Sequence, residues 1–155
     1  MNRRSLSFAG ISLAALGLGG RFAEAETFEV IRSEEEWKKM LPAGSFEVLR
    51  HEATERPFTS KLLDEHRKGT FICAGCDLAA FSSEQKFESG TGWPSFFDTL
   101  PGAVAKKEDN TLFASRTEVH CHRCGGHFGH VFDDGPKPTG LRYCMNGVAL
   151  KFVAA

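Results

Sequence analysis

The sequence predicts a mainly β domain that is entered through short helices. Three observations predict it. Beyond Gly69 the apolar residues fall in short runs, Phe71-Ile-Cys73, Leu112-Phe113-Ala114, His127 to Phe132 and Leu141 to Val153, divided by Gly, Pro, Asp and Asn clusters. Such runs read as antiparallel strands, not as strands alternating with long helices. Before Gly69, helical spacing and a capping signal appear instead. Two CxxC pairs, 44 residues apart, then mark two distant points of the chain that a single bound ion would join.

The elements follow in order. Met1-Asn-Arg-Arg4 is basic, Ser5 to Gly20 is uncharged with four glycines, and Ala23-Glu24-Ala25 has the small-x-small form of a signal-peptidase site. Sixteen such residues fall short of the ~20 that a membrane span needs. Residues 1–25 are therefore expected to be an export signal, with the Arg3-Arg4-Ser5-Leu6 start resembling a twin-arginine address. An ordinary secretory signal and an uncleaved anchor are the alternatives. The expected site of action is outside the cytoplasm, in a bacterial periplasm.

Residues 26–155 then form one domain of 130 residues. Removing Arg3, Arg4, Arg21 and Glu24 takes the basic and acidic counts from 19 and 20 to 16 and 19, a net charge of −3. Nothing in that balance suggests a basic surface for nucleic acid or anionic lipid, and no stable membrane insertion is expected. Fourteen phenylalanines imply a substantial core.

Ser33-Glu-Glu-Glu36 opens a helix with a capping box, Trp37, Met40 and Leu41 continue it, and Pro42 stops it. A second short helix is expected from about Phe58 to Arg67, with Leu62 and Leu63 inward and Gly69 at its exit. Gly90-Thr-Gly-Trp-Pro94, Leu100-Pro-Gly102 and Asp133-Asp-Gly-Pro136 are turns between strands.

Cys73-Ala-Gly-Cys76 and Cys121-His-Arg-Cys124 each place two thiols where a tight turn can chelate one ion, and four soft ligands suit tetrahedral zinc. The pairs also fit structural disulfides, a redox couple, or a site in which His120 or His122 replaces a cysteine. Glycines at 75 and 125 favour metal, and a structural zinc would occupy four of the five thiols.

The fifth lies in Gly140-Leu-Arg-Tyr-Cys-Met-Asn-Gly147. In a strand, Arg142, Cys144 and Asn146 share one face. A guanidinium beside a thiol favours the thiolate, and an amide can donate to a substrate oxygen. The plainer reading of Cys144 is a small buried hydrophobe. His127-Phe-Gly-His130 adds two imidazoles able to serve as acid, base or orienting groups, or as structural residues. Gly92-Trp93-Pro94-Ser95-Phe96 offers aromatics suited to gripping an apolar group or to packing the core.

CAGC at 73–76, SGTGWPSFF at 89–97, RTEVHCHRCGGHFGHVFDDGP at 116–136 and TGLRYCMN at 139–146 closely resemble the methionine-R-sulfoxide reductase B family. The likeness runs from about Ser33 to Phe152. It implies a β-tent of two small antiparallel sheets, stapled at one end by zinc on Cys73, Cys76, Cys121 and Cys124. It implies that Cys144 attacks the sulfur of an R-epimer methionine sulfoxide, free or in an oxidised protein, and becomes a sulfenic acid. His127, His130 and Asn146 would surround the sulfoxide oxygen. Arg142 would favour the thiolate, and Trp93 and Phe96 would meet the substrate, with Glu118 in the same polar shell. A thioredoxin-like protein or another thiol would restore Cys144. Many members of the family carry a resolving cysteine where this chain has Thr91, so the resemblance is to the one-cysteine type. Gly147 stands where the family usually has serine.

Overall fold

The computed structural model describes residues 26–111 and 114–155. Residues 1–25, and with them the expected export signal, lie outside the described residues, as do Leu112 and Phe113 of one expected strand.

Helix α1 (Glu34–Met40) starts as its sequence dictates: Ser33 Oγ accepts from the Glu36 N–H at 3.2 Å, and the Ser33 N–H donates to Glu36 Oε2 at 2.8 Å. Trp37 and Leu41 are buried, whereas Met40 is half exposed. Pro42 ends α1 but also caps the next helix, α2 (Ala43–His51), which buries Phe46, Val48 and Leu49. The helix expected at Phe58 to Arg67 does not form. Phe58 holds a left-handed backbone (φ 63°), the Leu62 N–H turns back to Ser60 Oγ at 3.1 Å, and the local backbone bonds are single turns, Leu63 to Ser60 and Glu65 to Leu62. Local side-chain acceptors and Pro57 outcompete helical propagation there. The second helix therefore lies earlier, and residues 52–67 form an irregular strap.

The body is two antiparallel sheets. Strands β1 (Gly69–Cys73), β2 (Ala79–Ser82) and, from the chain's end, β9 (Leu150–Ala154) make a three-stranded sheet in the order β2-β1-β9. The six-stranded sheet contains β3 (Lys86–Phe87), β4 (Ser95–Phe96), β5 (Val104–Asp109), β6 (Arg116–Cys121), β7 (His127–Phe132) and β8 (Arg142–Met145), in the order β3-β4-β8-β7-β6-β5. The run Leu141 to Val153 is thus divided between sheets. A 3-10 turn at Gly147–Ala149 carries the chain from β8 to β9.

Between the sheets lie fully buried Phe71, Phe81, Phe96, Phe128, Val119 and Met145. Phe81 stacks on Phe96 with ring centroids 4.3 Å apart, and Phe71 meets Phe96 edge-on at 5.0 Å. Burying a large apolar side chain contributes about 1.5–3 kcal/mol, so this aromatic set is a principal stabiliser. No helix among the described residues is long and apolar enough to cross a membrane.

Candidate functional site

One end of the sheet pair holds the four CxxC cysteines. The first pair follows β1 and the second follows β6, so the cluster joins the two sheets. The four sulfurs all lie within 4.8 Å of one another, with Cys73 and Cys124 at 3.7 Å and Cys76 and Cys121 at 3.5 Å. A tetrahedral ion with bonds of about 2.3 Å separates its sulfurs by about 3.8 Å, whereas a disulfide brings them to about 2.05 Å. The spacing fits one ion and no disulfide, and all five cysteines are free thiols. Neither His120 nor His122 belongs to the set; buried His120 bonds Glu26 at 3.0 Å. The Gly75 N–H points at Cys73 Sγ at 3.4 Å, and Arg50 donates to the Cys124 carbonyl at 3.0 Å while lying 5.0 Å over the Trp37 ring. Both helices thereby brace this end.

The fifth thiol lies in the middle of the larger sheet. Cys144 on β8 is paired with Ser95 of β4 on one side and His130 of β7 on the other. Opposed residues on adjacent strands project to the same face, so register alone sets His130 beside the thiol. A cavity of about 130 Å³ opens there, lined by Cys144, His130, Asn146, Trp93, Arg116 and Phe132 among others.

Both imidazoles are pinned by carboxylates. His130 Nε2 is 2.7 Å from Asp109 Oδ2, whose carboxyl is held well below the usual range, chiefly by the Thr111 hydroxyl. Ionised Asp109 can only accept, so neutral His130 carries its proton on Nε2 and a lone pair on Nδ1. His127 Nδ1 is 2.7 Å from Glu118 Oε1, and Lys107 reaches the other Glu118 oxygen at 2.8 Å. Burial pushes the His127 pKa down to about 4 and also lowers that of His130. His127 Nε2 is buried without a partner. The two rings meet edge-on at 5.4 Å, with His127 behind His130 and not on the cavity wall.

Asn146 is oriented from both ends: its Nδ2 donates to the Phe128 carbonyl at 3.0 Å, and its Oδ1 accepts from the Glu55 N–H at 2.9 Å. One amide hydrogen is left over. Arg142 stays beside the thiol, with its guanidinium 4.4 Å over the Phe132 ring and bonded to both oxygens of Asp134 at 2.8 and 2.9 Å. Burial nevertheless pushes the Cys144 thiol up, overriding the Thr91 hydroxyl and Arg142, which pull it down. The expected lowering is therefore not the net state of the resting protein.

Thr91 Oγ1 lies 3.8 Å from Cys144 Sγ, and a chain of hydroxyls continues to Ser89 at 2.9 Å and Ser95 at 2.7 Å. Phe96 departs from expectation: it is fully buried in the core beneath the cavity, and Phe132 is the second aromatic on the wall. The period of two in His127 to Phe132 puts residues 130 and 132 on one face, which was the available signal. Asp109, Thr54 and Glu55 have no motif to announce them, because tertiary folding alone brings them here, and Arg116 opens the 116–136 stretch without a role assigned to it there.

With four thiols drawn into one cluster, Cys144 is the one cysteine outside it, facing the cavity, a set that fits the class of thiol oxidoreductases on a two-sheet frame. The SelR domain model matches residues 41–154. A peptide methionine sulfoxide reductase MsrB of Methanosarcina barkeri is 55% identical over 124 residues, covering 79% of this chain and 87% of that protein. Proteins of the same name from Leptospira interrogans and Bradyrhizobium diazoefficiens are 50% and 51% identical, covering 81% and 79% of this chain and 96% and 89% of theirs. The chain belongs to the methionine-R-sulfoxide reductase B family. It is an oxidoreductase that reduces methionine sulfoxide.

Proposed function

We propose that the chain reduces the R epimer of methionine sulfoxide, free or within an oxidised protein, through a sulfenic acid on Cys144. The observation that carries this reading is the rung Ser95–Cys144–His130, with Asn146 and Trp93 around the same small cavity. The Cys144 thiolate attacks the substrate sulfur. The sulfur–oxygen bond breaks, the oxygen passes with a proton to Cys144, and methionine leaves with two more electrons than the sulfoxide had. An external thiol then forms a mixed disulfide with Cys144 and releases water, and a second thiol frees the enzyme.

A sulfoxide resists attack until its oxygen is hydrogen-bonded or protonated. Asn146 offers its remaining N–H. His130 takes a proton at Nδ1 and passes it on, its cationic form steadied by Asp109, while Glu118 does the same for His127 behind it. Arg142 supports the thiolate, and Trp93 packs against the substrate methyl. Cys73, Cys76, Cys121 and Cys124 would hold zinc, which supplies a structural cross-link and no chemistry at the cavity.

Residues 1–25 make the chain an exported, periplasmic repair enzyme in this reading, served by a thioredoxin-like or other thiol donor. Its support is the Arg3-Arg4 start and the Ala23-Glu24-Ala25 end.

Purified protein assayed on the two epimers separately, beside Cys144→Ser, tests the reading. R-epimer turnover abolished in C144S, with zinc content and circular dichroism unchanged, is the expected result. So is a dimedone adduct on Cys144 after one turnover without reductant. Turnover surviving in C144S, or an internal disulfide in place of the adduct, would overturn it.

A further inference from the structure

The strap that replaces the expected helix contributes Thr54 to the lining of the cavity. Its next residue, Glu55, bonds two cavity residues that flank the paired strands β4 and β8, Trp93 just before β4 and Asn146 just after β8. The Glu55 carbonyl accepts from Trp93 Nε1 at 3.1 Å, and its N–H donates to Asn146 Oδ1 at 2.9 Å. Its carboxylate accepts from the backbone N–H of Gly147 and, at 3.3 Å, from that of Val148.

Each bond removes an ambiguity. An amide can present either its oxygen or its nitrogen to a cavity. With the Glu55 N–H on Oδ1 and the Phe128 carbonyl on Nδ2, the Asn146 amide is held one way round, with one N–H left to offer. An indole can rotate about its side-chain torsions, and tethering Nε1 to the Glu55 carbonyl fixes that rotation. The carboxylate holds the strap against the turn after Asn146, and so anchors the residue whose backbone makes both bonds. A half-buried carboxylate is costly to desolvate, and two backbone N–H groups offset part of that cost here, burial still holding the Glu55 carboxyl above its ordinary range. The fit also accounts for Gly147. A Cβ at that position would overlap Ser60 Oγ and press on Glu55 Oε1, so the strap occupies the room that a serine side chain would need.

We propose that Glu55 is a positioning residue that sets the placement of the Trp93 ring relative to the Asn146 amide, and so the grip on the sulfoxide's methyl and oxygen together. This rests on the proposed reading that Trp93 meets the methyl and Asn146 the oxygen. It makes Glu55 act on substrate placement and not on the nucleophile, whose own neighbours are Thr91, Ser95, His130 and Arg142.

The test compares Glu55→Ala, Glu55→Asp and Glu55→Gln in the full chain, measuring kcat/KM on the R epimer and the rate of Cys144 alkylation by iodoacetamide. E55A loses the anchor and E55D cannot reach it, so kcat/KM is expected to fall at least tenfold in both while alkylation stays within twofold of the parent. Glutamine keeps the length and one acceptor oxygen, and E55Q should recover to within threefold. Retention of kcat/KM within threefold by E55A or E55D would overturn the proposal. So would alkylation that falls in step with turnover, since Glu55 would then be supporting the whole sheet. A parent protein inactive on the R epimer would instead sink the reading beneath it.

Discussion

The ionisation of Cys144 is set by two opposed effects, and altering one of them measures both. Burial raises the thiol pKa, while the Thr91 hydroxyl and the Arg142 guanidinium oppose it. Two unit charges about 4 Å apart interact by about 1 kcal/mol in bulk water and about 4 kcal/mol at an effective dielectric of 20. Arg142 is largely buried, yet it is shared with Asp134 through two hydrogen bonds, which draws off part of its field. A net effect near the lower end, about 1.4 kcal/mol, corresponds to about one pKa unit. Below its pKa a thiol's reactive fraction falls tenfold for each unit that the pKa rises. Arg142→Met should therefore slow Cys144 alkylation at pH 7.5 by about tenfold and move its pH profile up by about one unit. Asp134→Asn should do the reverse, by less, because that carboxylate faces solvent. The assay is iodoacetamide labelling from pH 6 to 10, resolved by mass spectrometry. In the parent the rate should still be climbing above pH 8.5, since the resting pKa exceeds that of an ordinary thiol. A plateau below pH 8, or an R142M profile superposable on the parent's, would refute the balance described.

Thr91→Cys places a second sulfur against Cys144, where the threonine oxygen now sits at 3.8 Å. One turnover without reductant should leave an internal disulfide instead of a dimedone adduct, visible as a loss of two hydrogens in the intact mass. Gly147→Ser should destabilise by roughly 1–3 kcal/mol, the usual cost of overpacking, in urea unfolding at fixed zinc. Ser60→Gly in the same chain should restore part of that, and strict additivity of the two changes would refute the contact. Chelation should unfold the protein, because structural zinc sites carry about 10–16 kcal/mol of apparent binding energy. The check is loss of near-ultraviolet circular dichroism on titration with a strong chelator, reversed by added zinc.

Much of this molecule is legible in its residues because the decisive signals are local. Ser33 and Glu36 are three residues apart, the members of each CxxC pair likewise, and His130 and Phe132 share a strand face by simple alternation. What escapes such reading depends on who meets whom after folding. Pro42 looks like a breaker, yet it takes the N-cap position of α2, whose Phe46, Val48 and Leu49 are pulled inward by packing. The Phe58 to Arg67 segment has helix-compatible leucines but is committed to the Trp93 loop: the Phe58 N–H bonds the Gly92 carbonyl at 2.8 Å. Gly92 (φ +93°) lies so close under Pro57 and the Phe58 ring that a larger residue would collide there. Phe96 carries the same label as an exposed aromatic, and only the sheet register turns it inward. Asp109 is 21 residues from His130 and Glu55 is 91 from Asn146, distances at which no spacing rule speaks.

Cys144, the nucleophile of the proposed reaction, sits on β8, an interior strand hydrogen-bonded on both sides. A loop cysteine, once oxidised, can swing towards a partner; this one is clamped between Ser95 and His130 and has no second sulfur within reach. In the proposed cycle the spent enzyme must therefore wait for a collision. Its recovery is second order, paced by the abundance of donor molecules slender enough to enter by the opening through which methionine departed, so the surroundings govern throughput as much as the catalyst does.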